Sequence, residues 1–97
     1  LFGLSAAQGH ASAQYYLGKC YYEADGVTGD FKKAVKLLEL SAAQNYSLAQ
    51  SGLASCYERG HGVAKDIQRA KALLTKSAKQ GNNAARQALV RLNSIAP

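Results

Sequence analysis

The chain repeats itself with a period of 36 residues, and this periodicity limits the possible folds more than any other feature. When the sequence is aligned with itself at an offset of 36, 22 of the 61 aligned pairs are identical, whereas composition alone predicts about four. One column that recurs in all three copies holds Ser5, Ser41 and Ser77. A period of this length indicates a stack of similar units, in which each unit buries its apolar surface against its neighbours.

Apolar and small residues recur every three or four positions within each period, which predicts helices rather than strands. The composition agrees, since the chain contains 18 Ala and 12 Leu but only six Val or Ile. Each period is therefore expected to form two amphipathic helices. The fold predicted is all-α: a right-handed superhelical solenoid of antiparallel helix hairpins. The two apolar stripes of the first period hold Ala13, Leu17, Cys20, Tyr21 and Ala24, and then Ala34, Leu37, Leu38, Ser41 and Ala42.

Capping residues predict where the second helix of each hairpin begins and ends. Asp30 and Asp66 stand where a side chain can accept the first backbone N–H groups of a helix. The column Gly9, Asn45 and Gly81 holds the residue types that tolerate the left-handed conformation after a helix. Helices are therefore expected to end at these three positions.

Other turn residues predict the remaining boundaries. Ser47 and Asn83 are candidate N-caps of the helices that follow the junctions. The pairs Gly26-Val27 and Gly62-Val63 predict a loop inside each hairpin, with glycine at positive φ and valine packed between the helices.

These boundaries divide the chain into a half unit, two full units and a closing helix. The predicted parts are 1–9, the end of a truncated repeat; 10–45 and 46–81, two repeats; and 82–97, a C-terminal capping helix. Residues 1–8 align with residues 37–44, so further repeats are expected upstream. Asn93 replaces the repeated Tyr near the other end, which is typical of the terminal unit of an array.

The repeated motif resembles the Sel1-like repeat, a relative of the tetratricopeptide repeat. The resemblance is carried by Ala13-x3-Leu17-Gly18-x2-Tyr21, by Gly26-Val27-x2-Asp30-x3-Ala34 and by Ser41-Ala42-Ala43-Gln44, which the second copy largely repeats. The copies depart from the pattern at Ala24-Asp25, in place of Gly-x, and at Ala54, in place of Gly. The resemblance implies a non-enzymatic adaptor or scaffold for protein-protein interaction.

In this family one face of the first helix lines the concave surface of the solenoid, and that face varies between the copies. It holds Tyr15, Lys19 and Tyr22 in the first copy, Ser51, Ser55 and Glu58 in the second, and Gln87, Arg91 and Ser94 in the closing helix. Columns that vary between repeats are expected to serve recognition, and Tyr and Arg are enriched at binding hot spots. The predicted contacts with a partner peptide or helix are Tyr15, Lys19, Tyr22, Glu58, Arg59 and Arg91.

Two alternatives concern the apolar surface. Tyr15 and Tyr22 can instead pack against an upstream repeat. An exposed end face near Leu1, Phe2 and Leu4 can also support self-association of the solenoid.

The net charge of +6 provides a different alternative, because the excess lies entirely in the last third of the chain. An electrostatic surface for nucleic acid or another anion is one reading, and a solvated face is the other. Against nucleic acid, residues 58–97 contain no Tyr, Phe or Trp on which bases could stack. The basic residues concerned are Arg69, Lys71, Lys76, Lys79, Arg86 and Arg91.

The sequence predicts no enzyme, cofactor or metal site. Cys20 and Cys56 share a column one helix layer apart, too distant for a disulfide, and both are interpreted as small buried helix residues. His10 and His61 have no Cys, Asp or Glu at ligand spacing. No apolar run approaches the length of a membrane span.

Overall fold

The computed structural model describes residues 2–23 and 30–94, with side chains described from residue 10 onward. The regular secondary structure of this part of the chain is all α-helix, as the periodicity predicts. The predicted loop at Gly26-Val27, the last three residues of the predicted capping helix (95–97), and the end face near Leu1 lie outside the described residues, as do the side chains of Phe2 and Leu4. The helices are α1 (Phe2–Glu23), α2 (Phe31–Ala43), α3 (Ser47–Arg59), α4 (Ile67–Lys79) and α5 (Asn83–Ser94).

Each helix packs mainly against the helices next to it in the chain, which is the arrangement of a solenoid. Helix α1 packs on α2 and α3 on α4, and these hairpins are joined by contacts of α2 with α3 and of α4 with α5. Three-residue connections at 44–46 and 80–82 reverse the chain between hairpins. An α-solenoid of 36-residue repeats is therefore confirmed.

The capping residues of the second helices act as predicted. The Asp30 carboxylate accepts the backbone N–H of Lys33 at 3.1 Å, and the Asp66 carboxylate accepts that of Arg69 at 3.0 Å. Asn45 and Gly81 have φ of 65° and 94°. The ends of α2 and α4 thus follow directly from local sequence.

The starts of the helices after the junctions differ from the prediction by one residue. Asn82, rather than Asn83, caps α5, since its side-chain oxygen accepts the backbone N–H of Ala85 at 3.1 Å. Tyr46 precedes α3 without a side-chain capping bond. The hydroxyl of Ser47 instead accepts hydrogen bonds from Asn82 and Ser77. The hydroxyl predicted to cap α3 is therefore used in contacts with the next repeat.

Helix α1 runs through Gly9, where the sequence predicts a helix end. At the two later junctions, Ser41 and Ser77 donate hydrogen bonds to backbone carbonyls 30 residues earlier, those of Ala11 and Ser47. At Gly9 the backbone instead keeps its helical hydrogen bonds. The assignment of residues 1–9 to a truncated repeat stays a prediction.

Identical columns are buried differently in the two copies. Leu17 is 50% exposed, whereas its counterpart Leu53 is 5% exposed. Ala13 and Cys20 are likewise exposed, and their counterparts Ala49 and Cys56 are fully buried. Helix α2 packs on helix α1, yet Ala13, Leu17 and Cys20 of α1 stay exposed. This column of residues therefore does not face the other helix of its own hairpin. In α3 the column is buried, and α3 contacts α2, the second helix of the preceding repeat, whereas no helix before α1 is among the described residues.

The interpretation of both cysteines as buried residues is thus wrong for Cys20 and correct for Cys56. Ala13 and Leu17, which the sequence assigns to the apolar stripe of the first helix, are exposed for the same reason. Residues at equivalent positions of two repeats are buried to the same extent only when both repeats have the same neighbours.

The loop between α3 and α4 joins the second copy to the first. His61 stacks on the ring of Phe31, with centroids 4.4 Å apart and planes 4° from parallel. Gly62, at φ 79°, lies so close to the backbone of Phe31 that an added Cβ would stand 2.5 Å from its carbonyl oxygen. Val63 packs against the core, as predicted. Positive φ and close approach both require glycine at position 62.

We expect Gly62→Ala to destabilise the fold far more than Gly60→Ala. Both glycines have positive φ, but a Cβ at Gly60 would meet its nearest atom at 3.6 Å. The strain of a left-handed alanine alone should cost about 1 kcal/mol at Gly60, and the added overlap should bring the cost at Gly62 to about 3 kcal/mol or more. Urea unfolding followed by circular dichroism measures both, and equal losses would contradict the observed contact with Phe31.

Candidate functional site

A cavity of about 140 Å³ opens between the first helices of the two repeats. We call it the α1–α3 cavity. Its walls come from one face of α1 and one face of α3, and a residue of α2 forms its floor. The lining residues are Tyr15, Lys19, Tyr22, Leu38, Gly52, Ser55 and Arg59.

The cavity is open because Gly52 has no side chain. A Cβ at this position would stand 3.5 Å from Leu38, at ordinary contact distance, and no backbone atom is among its three nearest neighbours. The counterparts of Gly52 one period away are Tyr16 and Ala88. A small residue at position 52 therefore creates space that the fold itself does not require.

Tyr15 forms one aromatic wall and is supported from within the chain. Its ring lies 5.7 Å from that of Tyr46 and 4.9 Å from that of Tyr16, between centroids. Burial raises the pKa of Tyr15, and the charge of Lys19 partly opposes this rise. The Tyr15 hydroxyl is therefore neutral at physiological pH and available as a hydrogen-bond donor.

Tyr22 forms the other aromatic wall and is tied to the second repeat. Its hydroxyl lies 2.7 Å from Nδ1 of His61, and its ring lies 5.1 Å from that of Phe31. Phe31 and His61 are not recognisable from the sequence as supports of this site, because they become neighbours only when the loop of one repeat packs on the other.

The alternative that both tyrosines pack against an upstream repeat does not describe these contacts. Tyr15 and Tyr22 contact the junction and the loop that follow them in the chain. The residues of α1 that lie open on the uncovered face are instead Tyr16, Leu17 and Cys20.

Two cations flank the cavity from opposite helices. Lys19 on α1 and Arg59 at the end of α3 both have exposed side chains. Among the described residues, the salt bridges are Lys33 with Asp30 and Arg91 with Glu58. None of the described residues that line the cavity is acidic, so the charged groups described there are both positive.

Glu58 and Arg91, also predicted as partner contacts, bind each other. Two guanidinium nitrogens donate to the two carboxylate oxygens at 2.5 Å and 3.0 Å. One period earlier these positions are Tyr22 and Ser55, which line the α1–α3 cavity. The ion pair therefore bridges α3 and α5 at the place where the preceding layer is open. Of the six predicted contact residues, four line the cavity, and Glu58 and Arg91 do not.

The basic third of the chain is not a set of six equivalent cations. Arg91 is engaged with Glu58, and the guanidinium of Arg69 lies over the ring of Tyr57 at 5.2 Å from its centroid. Both interactions hold a basic side chain against the protein surface.

Two larger hollows lie at the junctions between hairpins, with volumes of about 470 and 410 Å³. They are lined in part by amide side chains that already bond to one another. Gln80 donates to Gln50 at 2.8 Å, and Gln50 donates to Asn45 at 3.0 Å. These amide groups are already hydrogen-bonded between the repeats. The junction hollows are therefore weaker candidates for a ligand site than the α1–α3 cavity.

Catalytic and metal-binding arrangements are not evident in the described ranges. Residues 10–23 and 30–94 contain no group of three or more His, Cys, Asp or Glu side chains that could hold a metal ion. Cys20 and Cys56 are free thiols, and burial raises the pKa of Cys56 to about 11, so this thiol stays protonated. None of the described helices is long and apolar enough to cross a membrane.

The Glu58–Arg91 pair predicts a pH dependence of stability. The hydrogen bond from Arg91 lowers the pKa of Glu58 below its ordinary value of 4.5. A lowered pKa in the folded state stabilises the protein above pH 4.5, and this contribution disappears as the pH falls through the folded pKa. Glu58→Gln should therefore cost about 0.5 to 1 kcal/mol at pH 7 and progressively less as the pH falls.

Urea unfolding at pH 7, 4 and 2.5 measures this difference. Glu39→Gln is the matched control, since Glu39 is an exposed carboxylate of α2 outside the described ion pairs. A pH-independent effect of Glu58→Gln would show that the ion pair does not stabilise the fold.

Comparisons with known proteins agree with this architecture. The family model described as Sel1 repeat matches residues 11–46 and 47–82, the same period as predicted but one residue downstream. Among solved structures, the crystal structure of a Sel1 repeat protein from Oxalobacter formigenes is similar, with 38% sequence identity and a TM-score of 0.78. The match covers 90% of this chain and 25% of that chain. No curated protein matches. Because two repeats match over most of its length, the chain belongs to the Sel1 repeat family.

Proposed function

We propose that this chain is a protein-binding module that holds a peptide or helix of a partner in the α1–α3 cavity. Sel1 repeats are generally protein-protein interaction modules and typically non-enzymatic scaffolds, which supports the class of function. The observation that carries the specific proposal is that the cavity is lined largely by residues that differ between repeats, on a scaffold of residues that recur.

The size and walls of the cavity suit a single side chain. Its 140 Å³ is close to the volume of about 150 Å³ in which an engineered apolar cavity binds benzene. Tyr15 and Tyr22 offer apolar ring surface, with Leu38 beneath them. An aromatic or branched aliphatic side chain that anchors a peptide would fit between these rings.

The cavity walls are also held in place before any ligand arrives. Tyr46 supports Tyr15, and His61 supports Tyr22. A binding site whose side chains are already ordered loses less conformational entropy on binding. In this proposal Tyr15, Lys19, Tyr22 and Arg59 contact the partner.

Glu58 and Arg91 have a different role in the proposal. Since they bind each other across α3 and α5, they close the layer next to the cavity and limit the site to one side.

Filling the cavity should abolish binding without unfolding the chain. We expect Gly52→Leu to place a side chain in the space between Leu38 and Tyr15. Tyr15→Ala and Tyr22→Ala are less suitable, because both rings also make structural contacts. Gly52→Ala is the matched control: its Cβ has ordinary contacts, and alanine should stabilise helix α3 by about 0.5 to 1 kcal/mol.

The measurement is selection from a phage library of random 12-residue peptides on the wild-type protein, followed by titration of selected peptides. Peptides that bind the wild type should lose at least about tenfold in affinity for Gly52→Leu, since the anchor side chain has no space. Circular dichroism and melting verify that both variants are folded. If every selected peptide binds Gly52→Leu as tightly as the wild type, the cavity is not the binding site.

The nucleic-acid alternative has its own test. We expect a single-stranded RNA 20-mer to bind no more tightly than non-specific complexes do, with dissociation constants of roughly 1 to 100 μM at physiological salt. Submicromolar binding that falls steeply with salt and is lost in Lys76→Glu plus Lys79→Glu would favour the alternative instead. Both lysines are exposed on α4, so a folded double variant is expected, and melting verifies it.

A further inference from the structure

The charges around the α1–α3 cavity restrict the chemistry of its occupant, provided that the cavity is a peptide site as proposed above. Within residues 10–23 and 30–94, the residues that line it include two cations, Lys19 and Arg59, and no carboxylate. Ser55 adds a hydroxyl, and Tyr15 a neutral phenol, as further hydrogen-bond donors. Donors and positive charges therefore surround an apolar floor.

Glu58, the acidic residue of α3, also interacts with Arg59, but both its carboxylate oxygens accept hydrogen bonds from Arg91, on the side of α5. On α1, the charge of Lys19 opposes the rise of the Tyr15 pKa, and the weaker influence of Glu23 adds to that rise. A basic segment would be repelled here, and a neutral one would leave both cations without a partner.

We propose that the α1–α3 cavity binds an acidic peptide segment of a partner protein. One aromatic or branched aliphatic side chain of that segment enters between Tyr15 and Tyr22, and neighbouring Asp or Glu carboxylates contact Lys19 and Arg59. The two cations lie on different helices, so carboxylates on both sides of the anchor residue are favoured. The guanidinium of Arg59 can accept a carboxylate in a bidentate geometry.

An acidic peptide fits this site better than a nucleic acid does. A phosphate backbone would satisfy the cations, but an apolar floor at Leu38 and the small volume suit an aliphatic or phenyl side chain better than a nucleotide. Binding of a nucleic acid in the cavity would therefore overturn the proposal.

Three phage libraries provide the test. All display 12-residue peptides with Leu, Phe and Tyr at randomised positions, and the other positions are Asp, Glu and Ser in the first, Asn, Gln and Ser in the second, and Lys, Arg and Ser in the third. Clones whose binding is lost in Gly52→Leu are counted as bound in the cavity. We expect the acidic library to supply at least about tenfold more of these clones than either other library.

Charge reversal then identifies the cations responsible. Lys19→Glu plus Arg59→Glu should weaken binding of acidic clones at least about tenfold at low salt, with a smaller loss at high salt. Lys32→Glu plus Lys36→Glu is the matched control, because both lysines are exposed on α2 and the net charge changes equally, from +6 to +2. This control should reduce affinity much less, and circular dichroism verifies that both variants are folded.

The outcomes separate the two proposals. Cavity-dependent clones that come equally from the neutral or basic library, or that bind equally well after reversal of Lys19 and Arg59, would overturn the acidic ligand and leave the peptide site intact. The absence of any cavity-dependent clone would overturn both. Displacement of acidic clones by an RNA 20-mer, with RNA binding lost in the same double variant and in Gly52→Leu, would assign the cavity to nucleic acid and overturn this inference.

Discussion

The packing of Leu38 between two first helices is the contact on which the rest of the structure depends. A Cβ built on Gly18 of α1 would stand 3.4 Å from Leu38, and one built on Gly52 of α3 would stand 3.5 Å from it. One leucine of α2 thus lies against both neighbouring helices. Leu38 is 3% exposed and belongs to the core, yet it also forms the floor of the α1–α3 cavity. Stability and the candidate site share this residue.

Hydrogen bonds at fixed sequence separation keep the hairpins in register around that core. Serines of the second helices bond to carbonyls 30 residues earlier, and Gln44 bonds to Gln14 as Gln80 bonds to Gln50, again 30 residues apart. Buried hydroxyls need such partners, because an unpaired polar group in the core is costly. The repeated Ser and Gln columns are therefore explained by packing between helices and need no role in binding.

The two layers of the solenoid have the same backbone pattern but different surfaces. In the first layer Tyr22, Ser55 and Gly52 leave a cavity with positive charges at its edge. In the second layer the counterparts of Tyr22 and Ser55 are Glu58 and Arg91, which form an ion pair across the helices. Side chains that vary between repeats thus decide whether a layer is open or closed, while the recurring columns hold the helices in place. The proposed binding of an acidic peptide depends on this difference.

The sequence by itself determined the period, the helical class, the N-caps at Asp30 and Asp66, and the positive φ of Asn45 and Gly81, because each follows from contacts within a few residues. It also identified four of the residues that line the cavity, through their variation between copies.

Only the tertiary structure decided how each column is used. In the folded chain Leu53 is buried and Leu17 is exposed, and Glu58 pairs with Arg91. Helix α1 continues through Gly9, and His61 lies beside Tyr22. These outcomes depend on which helix or loop lies next to a residue, and the sequence near that residue does not show this: Tyr22 meets His61 39 positions away, and Glu58 meets Arg91 33 positions away.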